Sequence, residues 1–320
     1  MTDALVPPSE LIERFEADLA PLAGPASKLG IAVSGGPDSL ALLLLAAAAR
    51  PGRVEAATID HQLRAESADE ARFVAGICER LGVPHHILKV KLGRGASLQA
   101  QARSARYDAL GDCAIESALD AVATGHHVDD QAETLLMRMA RGAGLGGLVG
   151  VRYKRPLEPG VTLIRPLLEW RRAELAAIVA AAGITPVDDP ANRDPRHDRS
   201  RFRGMLADAD WADAERLAAS ARWLADADEA LEWAVAPLLE TRVQRSGSAL
   251  TIDADGLPRE MQRRLLLAAF DRMGAARPRG PELDRARKAL RTGKTATLSG
   301  LKLEPGPPWT LSIAPARRRN

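Results

Sequence analysis

Ser34-Gly35-Gly36-Pro37-Asp38-Ser39 constrains this chain more than any other segment, because it joins a strand-like run, Leu29–Ser34, to an apolar stretch, Leu40–Ala49. That stretch is too long for a buried strand and far short of the ~20 apolar residues that cross a bilayer, so it reads as a buried helix. In a strand-loop-helix unit the loop N–H groups and the helix N-terminus converge on one point, which suits a phosphate or pyrophosphate. Gly35 and Gly36 let the backbone approach closely, Ser34 and Ser39 offer hydroxyls, and Pro37 fits the first helical turn, where no N–H is needed. Asp38 can hold a magnesium ion. A capped Gly-rich turn is the plainer reading, but six suitable residues in this context favour a nucleotide. The Gly-Lys-Ser/Thr ending of a Walker loop is absent.

Strand-like runs at Leu29–Ser34, Val54–Ile59, His85–Val90 and Ala121–Thr124 alternate with helical patterns near 38–50, 66–82, 97–118 and 128–140. This spacing predicts parallel strands with right-handed crossovers, hence a doubly wound α/β sheet with its ligand at the carboxyl ends of the strands. Ser34–Ser39, Asp60–Arg64 and Gly125–Glu133 all fall at such ends. Gly- and Pro-rich residues 142–166, and residues 186–199, read as loops around a helix near 171–182. Beyond Phe202 the pattern turns helical, with Trp211, Leu217, Leu224, Leu231 and Leu238 at sevens or nearly so. Further helices are expected near 258–274 and 281–291, and short strands near 249–252, 296–303 and 309–313. The predicted division is 1–205, a domain built around the nucleotide loop, and 206–320, a smaller, mainly helical domain with short strands.

Gly125-His126-His127-Val128-Asp129-Asp130-Gln131-Ala132-Glu133-Thr134 leads from a strand into a helix. Asp129 and Asp130 lie four and three residues before Glu133, so at least two carboxylates share a helix face and can hold magnesium or an ammonium group. Helix N-termini also stabilise acids by about 0.3 to 1 kcal/mol, so capping competes with that role. His126 and His127 lack a third ligand at metal spacing, which argues against zinc; one contacts nucleotide and the other packs. Arg138 and Arg141 end this helix and enter a Gly-rich loop suited to closing over substrate. Residues 189–203 carry five Arg against three Asp. Arg clusters of this kind grip phosphate oxygens and stabilise charge developing on a transferring phosphate.

Charge placement says more than the net charge of +2. Arg138, Arg141, Arg152, Lys154 and Arg155 occur without an acid between 138 and 155, whereas residues 208–240 hold nine acids against two Arg. A polyanion would meet the first stretch and avoid the second. Cys78 and Cys113 form no Cys-x-x-Cys pair, which argues against a disulfide framework, a zinc ribbon or an iron-sulfur site. The N-terminus shows no secretory pattern, so a cytoplasmic protein is expected.

Residues 34–39 resemble the PP-loop of N-type ATP pyrophosphatases, which cut ATP to AMP and pyrophosphate while adenylating a carbonyl oxygen. Further matches are Asp60-His61-Gln62-Leu63-Arg64, Ala105-Arg106-Tyr107, residues 125–134, Arg141–Leu148, Arg165-Pro-Leu-Leu and Asp189–Arg203. With these, the chain resembles the tRNA(Ile)-lysidine synthetase family. The resemblance implies that ATP adenylates the C2 oxygen of the wobble cytidine in a tRNA(Ile) with a CAU anticodon. The amine of free L-lysine then attacks C2 and expels AMP, and the codon read changes from AUG to AUA. It places ATP at Ser34–Ser39, Asp60, His61, Gly125 and His126, and lysine or tRNA at Asp129, Asp130, Glu133, Arg138, Arg141, Asn192, Arg199, Arg201 and Arg203. Asp38, Asp130, Glu133 and Arg199 are the expected catalytic residues, with Mg2+ at Asp38 and Asp130. No membrane association and no obligate protein partner are expected. The chain departs from the family loop at Ala191-Asn192 and Arg199-Ser200-Arg201, and residues 206–320 match only loosely. A PP-loop tRNA thiolase would need cysteines for sulfur transfer, an amidotransferase a glutaminase, and a non-catalytic RNA-binding module fewer carboxylates.

Overall fold

The computed structural model describes residues 5–60, 66–90, 98–187 and 198–315, and they fall into two compact units. The first comprises residues 1–140 and 150–221, the second residues 141–149 and 222–320. The chain passes between the units inside a helix at Ala221–Arg222, whereas position 205 lies within an earlier helix, Asp198–Ala207.

The first unit contains α1 (Ser9–Leu19), β1 (Leu29–Ala32), α2 (Pro37–Ala49), β2 (Val54–Asp60), α3 (Glu66–Leu81), β3 (His85–Lys89), α4 (Leu98–Glu116), β4 (Ala121–Thr124) and α5 (Val128–Ala140). After α6 (Leu145–Leu148), which belongs to the second unit, come β5 (Lys154–Glu158), β6 (Val161–Ile164), α7 (Arg172–Ala181) and α8 (Asp198–Ala207). The sheet order is β3-β2-β1-β4-β6-β5, and every neighbouring pair is parallel except β5 with β6. The expected α/β sheet is thus present, with its four anticipated strands, β1 to β4, within two residues of their expected limits. Ser39 to Ala47 are all buried, as an apolar helix requires when it lies between the sheet and other helices. Burying each Leu of α2 contributes about 1.5–3 kcal/mol. Phe15, Trp170, Leu175 and Val179 extend this core, while Tyr107, Leu110, Ala114 and Leu163 pack on the other face of the sheet.

Residues 154–164 correct the loop expected over 142–166. They form the β5–β6 hairpin, which turns at Pro159-Gly160 with Gly160 at φ +83°. The apolar run Val161–Ile164 is short enough to be hidden by the turn residues around it, and Pro156 is tolerated because β5 is an edge strand. β6 then extends the parallel sheet, with Ala121 opposite Thr162 and Ala123 opposite Ile164. α1 also went unanticipated.

The second unit holds most of α9 (Ala214–Thr241), then β7 (Val243–Ser246), β8 (Ala249–Ile252), α10 (Arg259–Arg272), α11 (Gly280–Arg291), β9 (Ala296–Leu298), β10 (Leu301–Glu304) and β11 (Trp309–Ile313). Its strands are antiparallel in the order β7-β8-β11-β10-β9, and Leu265, Phe270, Leu283 and Leu303 lie in its core. The expected helices near 258–274 and 281–291 are present; β7 was not foreseen. Trp211 lies outside α9 and is 79% exposed, so it does not begin the apolar stripe anticipated from the heptad-like spacing. No helix among the described residues is long and apolar enough to cross a membrane.

Candidate active site

Strand order reverses around β1: the chain runs outward through β2 and β3, then returns to place β4 on the other side. Loops leaving such neighbouring strands in opposite directions open a crevice at their carboxyl ends. The loop after β1 is Val33–Gly36 and the loop after β4 is Gly125–His127, so topology brings together two motifs about 90 residues apart in sequence. Gly125 makes this approach possible. A Cβ there would lie 2.9 Å from the carbonyl oxygen of Asp38 and 3.1 Å from the backbone nitrogen of Ser39, and backbone atoms cannot rotate away.

Within the first loop Gly35 adopts φ +82° and its carbonyl accepts the Val187 N–H at 2.9 Å. The Ser39 hydroxyl accepts the Ser34 N–H at 3.1 Å and donates to the Gly36 carbonyl at 3.0 Å. Buried Ser39 therefore shapes the loop, while Ser34 is exposed. Gly36 precedes α2 and Pro37 stands in its first turn, as expected for a helix opening on a phosphate. The Asp38 Oδ1 is buried without a hydrogen-bond partner among the described residues, which fits an oxygen that receives a cation. Asp60 is buried at the end of β2; His61 and Asn192 lie outside the described residues.

His127 proves more consequential than a packing histidine. Its Nε2 lies 3.5 Å from Asp38 Oδ2 and 3.6 Å from Asp130 Oδ1, and its Nδ1 lies 3.4 Å from Asp129 Oδ2. Burial pushes the imidazole down, but Asp129, Asp38 and Asp130 together outweigh it and raise the pKa to about 10. His127 is thus a buried imidazolium that ties both loops together. For Asp129, burial pushes the carboxyl up, yet His127 and the Arg172 N–H, 2.9 Å away, bring it down to about 2. His126 takes a different environment, with Nδ1 2.9 Å from the Thr124 hydroxyl. Burial, then Arg165, Arg106, Arg199 and Arg103, hold it well below the usual histidine range, so it is neutral.

Asp130 and Glu133 share a face of α5 as their spacing predicted, and α8 supplies their counter-ions. The Asp130 Oδ2 accepts the His127 N–H at 3.1 Å, a capping contact, while Oδ1 accepts Arg199 Nη2 at 2.5 Å. Buried Glu133 accepts Arg199 Nε on Oε2 and Arg203 Nε on Oε1, each at 2.7 Å. Capping and charge pairing therefore coexist. Arg201 projects elsewhere, donating to Asp198 at 3.2 Å, and Arg138 donates to the Gly150 carbonyl at 2.9 Å. Arg141 is exposed in the loop grouped with the second unit, where Gly146 sits against Asp228, itself paired with Arg264 at 2.5 Å.

A second cluster, not assembled by sequence reasoning, surrounds Tyr107. The guanidinium carbons of Arg155, Arg106 and Arg103 stand 4.6, 5.1 and 5.2 Å from its ring centroid. Burial pushes the phenol up, but Arg106, Arg103 and Arg165 pull it down to about 8. Arg106-Tyr107 and Arg165 were visible as separate motifs; only the β5–β6 hairpin joins them to Arg155.

Residues 9–209 match the family described as the PP-loop domain. The chain is 48% identical over 310 residues to a tRNA(Ile)-lysidine synthase of Novosphingobium aromaticivorans, covering 95% of this chain and 94% of the relative. It is 44% identical to the tRNA(Ile)-lysidine synthase of Zymomonas mobilis, covering 94% of this chain and 92% of that one. Among solved structures, the U34-tRNA thiolase NcsA from Methanococcus maripaludis shares the fold, with a TM-score of 0.56 at 20% identity, covering 67% of this chain and 78% of that chain.

Proposed function

We infer the reaction from one premise: the chain belongs to the tRNA(Ile)-lysidine synthase family. It is a ligase that uses ATP to join lysine to C2 of the wobble cytidine in tRNA(Ile) with a CAU anticodon. The C2 oxygen takes the α-phosphorus of ATP, the bond to the β-phosphate breaks, and pyrophosphate leaves. The lysine amine, having lost a proton, then forms the bond to C2 as the bond from C2 to the AMP oxygen breaks. The product is lysidine, which reads AUA in place of AUG.

The observation that supports this assignment best is the convergence of the 34–39 loop, Asp38 and the Asp130–Glu133–Arg199 group at one crevice. In this reading the loop N–H groups and the Ser34 hydroxyl receive the pyrophosphate, and Gly125 and neutral His126 border the nucleotide. Asp38 would hold Mg2+, whose chemistry is to neutralise phosphate charge. Asp130, whose oxygens are engaged by Arg199 and His127, would join Asp38 only after Arg199 turns away. Arg199 steadies charge developing at the α-phosphate. Its departure from Asp130 and Glu133 frees carboxylates for the lysine ammonium, and one of them accepts the proton. Arg203, Arg138 and Arg141 provide cationic contacts for the RNA, and residues 206–320 recognise the tRNA body in the cytoplasm.

Incubation with ATP, lysine and a tRNA(Ile) transcript bearing CAU, followed by digestion and mass analysis of the nucleosides, tests the assignment. Lysidine replaces the wobble cytidine if it holds; unmodified or thiolated nucleoside would overturn it.

A further inference from the structure

Arg103, Tyr107 and Arg155 line a cavity of about 580 Å³ in the first unit, within the ~300–1,000 Å³ range of ligand sites. Leu157, Asp108 and Glu158 also line it. Asp108 and Glu158 match Arg103 and Arg155 in number on that lining, but among the described residues neither carboxylate pairs with an arginine of the cluster. Among the described residues Arg103, Arg106, Arg155 and Arg165 form no ion pair, and the Nε atoms of Arg106 and Arg165 are buried without a partner. Arg165 is itself 3% exposed. Four guanidiniums gathered around one ring without an ion pair repel one another, at a cost that grows as the local dielectric falls. An anion would repay that cost. The cluster adjoins the crevice, because Arg165 follows β6 beside β4, and Arg165, Arg106 and Arg103 all act on His126. Arg guanidiniums suit phosphate oxygens, and the Tyr107 ring fixes their planes by stacking.

We propose that this cavity seats a backbone phosphate of the tRNA next to the reacting cytidine, bound by Arg103 and Arg155. The proposal rests on the tRNA substrate assigned above, and it separates RNA binding on α4 and β5 from ATP binding on the 34–39 loop. Such a contact fixes position without reading sequence, so it orients the anticodon loop while selection of the base happens elsewhere.

The test compares the wild type with the double variant Arg103→Gln/Arg155→Gln in full chain. Three readouts are taken: salt-titrated binding of a CAU-anticodon tRNA(Ile) transcript, binding of ATP, and thermal melting. Loss of both arginines from that one phosphate should weaken tRNA binding by about tenfold or more at physiological salt. It should also lower the slope of log K against log salt by about 0.7 to 0.9, the share of one phosphate. ATP affinity should stay within about twofold, and the melting temperature should hold or rise because like charges have been removed. Unchanged tRNA affinity and slope would overturn the proposal. An equal loss of ATP affinity would make the cavity a nucleotide subsite instead, and a fall in melting temperature matching the loss of binding would make the cluster structural. A wild type that fails to bind the transcript would sink the substrate assignment itself, whatever the variant does.

Discussion

Arg199 donates from Nε to Oε2 of Glu133 at 2.7 Å, and that carboxylate is only 3% exposed, so the pair seats α8 on α5. Arg203 holds the other oxygen of the same carboxylate one turn later. A cation that phosphate can attract thus shares its anchor with one that need not move.

Arg199→Ala should therefore cost activity far more than stability. The Arg199 side chain is 42% exposed but its carboxylate partners are buried; Glu133 keeps Arg203 and Asp130 keeps the His127 N–H, so the loss in folding should stay at the low end of the ~1–3 kcal/mol of a buried acceptor that loses one partner. Turnover should fall about 100-fold or more, the cost of losing one transition-state donor. Removing Arg199 and Arg203 together strands a buried carboxylate and should cost about 3–5 kcal/mol, more than the sum of the single changes. Thermal melts beside single-turnover kinetics check both expectations.

His127 predicts a pH dependence of stability in magnesium-free buffer. Its folded pKa, about 10, lies above the ordinary value of 6.5, because Asp129, Asp38 and Asp130 outweigh the effect of burial. The stabilisation is complete below about pH 6.5 and is lost as pH rises toward about 10. Asp129, lowered to about 2, works in the other window: its contribution is present above about pH 4 and lost as pH falls toward 2. In denaturant titrations His127→Gln should flatten the fall between pH 6.5 and 10; an unchanged slope there would show that the imidazolium is not formed.

Glycine substitutions separate shape from ligand approach. Gly125→Ala drives a Cβ into the backbone of Asp38 and Ser39, and Gly35→Ala must occupy φ +82° with Val187 3.0 Å away. Both should destabilise the fold, Gly35→Ala by at least the ~1–2 kcal/mol of a left-handed residue. A Cβ at Gly36 meets only the Ser34 hydroxyl at 3.6 Å, an ordinary contact. Gly36→Ala should melt like the wild type yet bind ATP several-fold more weakly, as calorimetry would show.

Cys78 and Cys113 are buried free thiols, and burial pushes Cys78 up to about 12. A thiol so rarely ionised is a poor nucleophile. Alkylation followed by mass spectrometry should leave Cys78 unlabelled in the native protein at pH 8 and label it on unfolding.

The parallel sheet was legible in the sequence because its central elements carry their own signal: Leu29–Ala32 and Ala121–Ala123 are apolar throughout, and Leu40–Ala49 is apolar all round. The carboxylate face of α5 was legible for the same reason, being fixed by spacing of three and four. Contacts between distant segments were not. Nothing local marks His127 as the cation between Asp38 and Asp129, or Arg203 as the second partner of Glu133, since both follow from how β4, α2 and α8 pack. The β5–β6 hairpin escaped notice because Pro156 and Gly160 read as loop residues, and with it went the cluster around Tyr107.

Multiple-turnover release of pyrophosphate from ATP tests the central claim most directly. Sustained release should require both a CAU-anticodon tRNA(Ile) and free lysine, and should disappear when either is left out. Sustained release without lysine, or release supported by a sulfur donor in its place, would contradict the assignment.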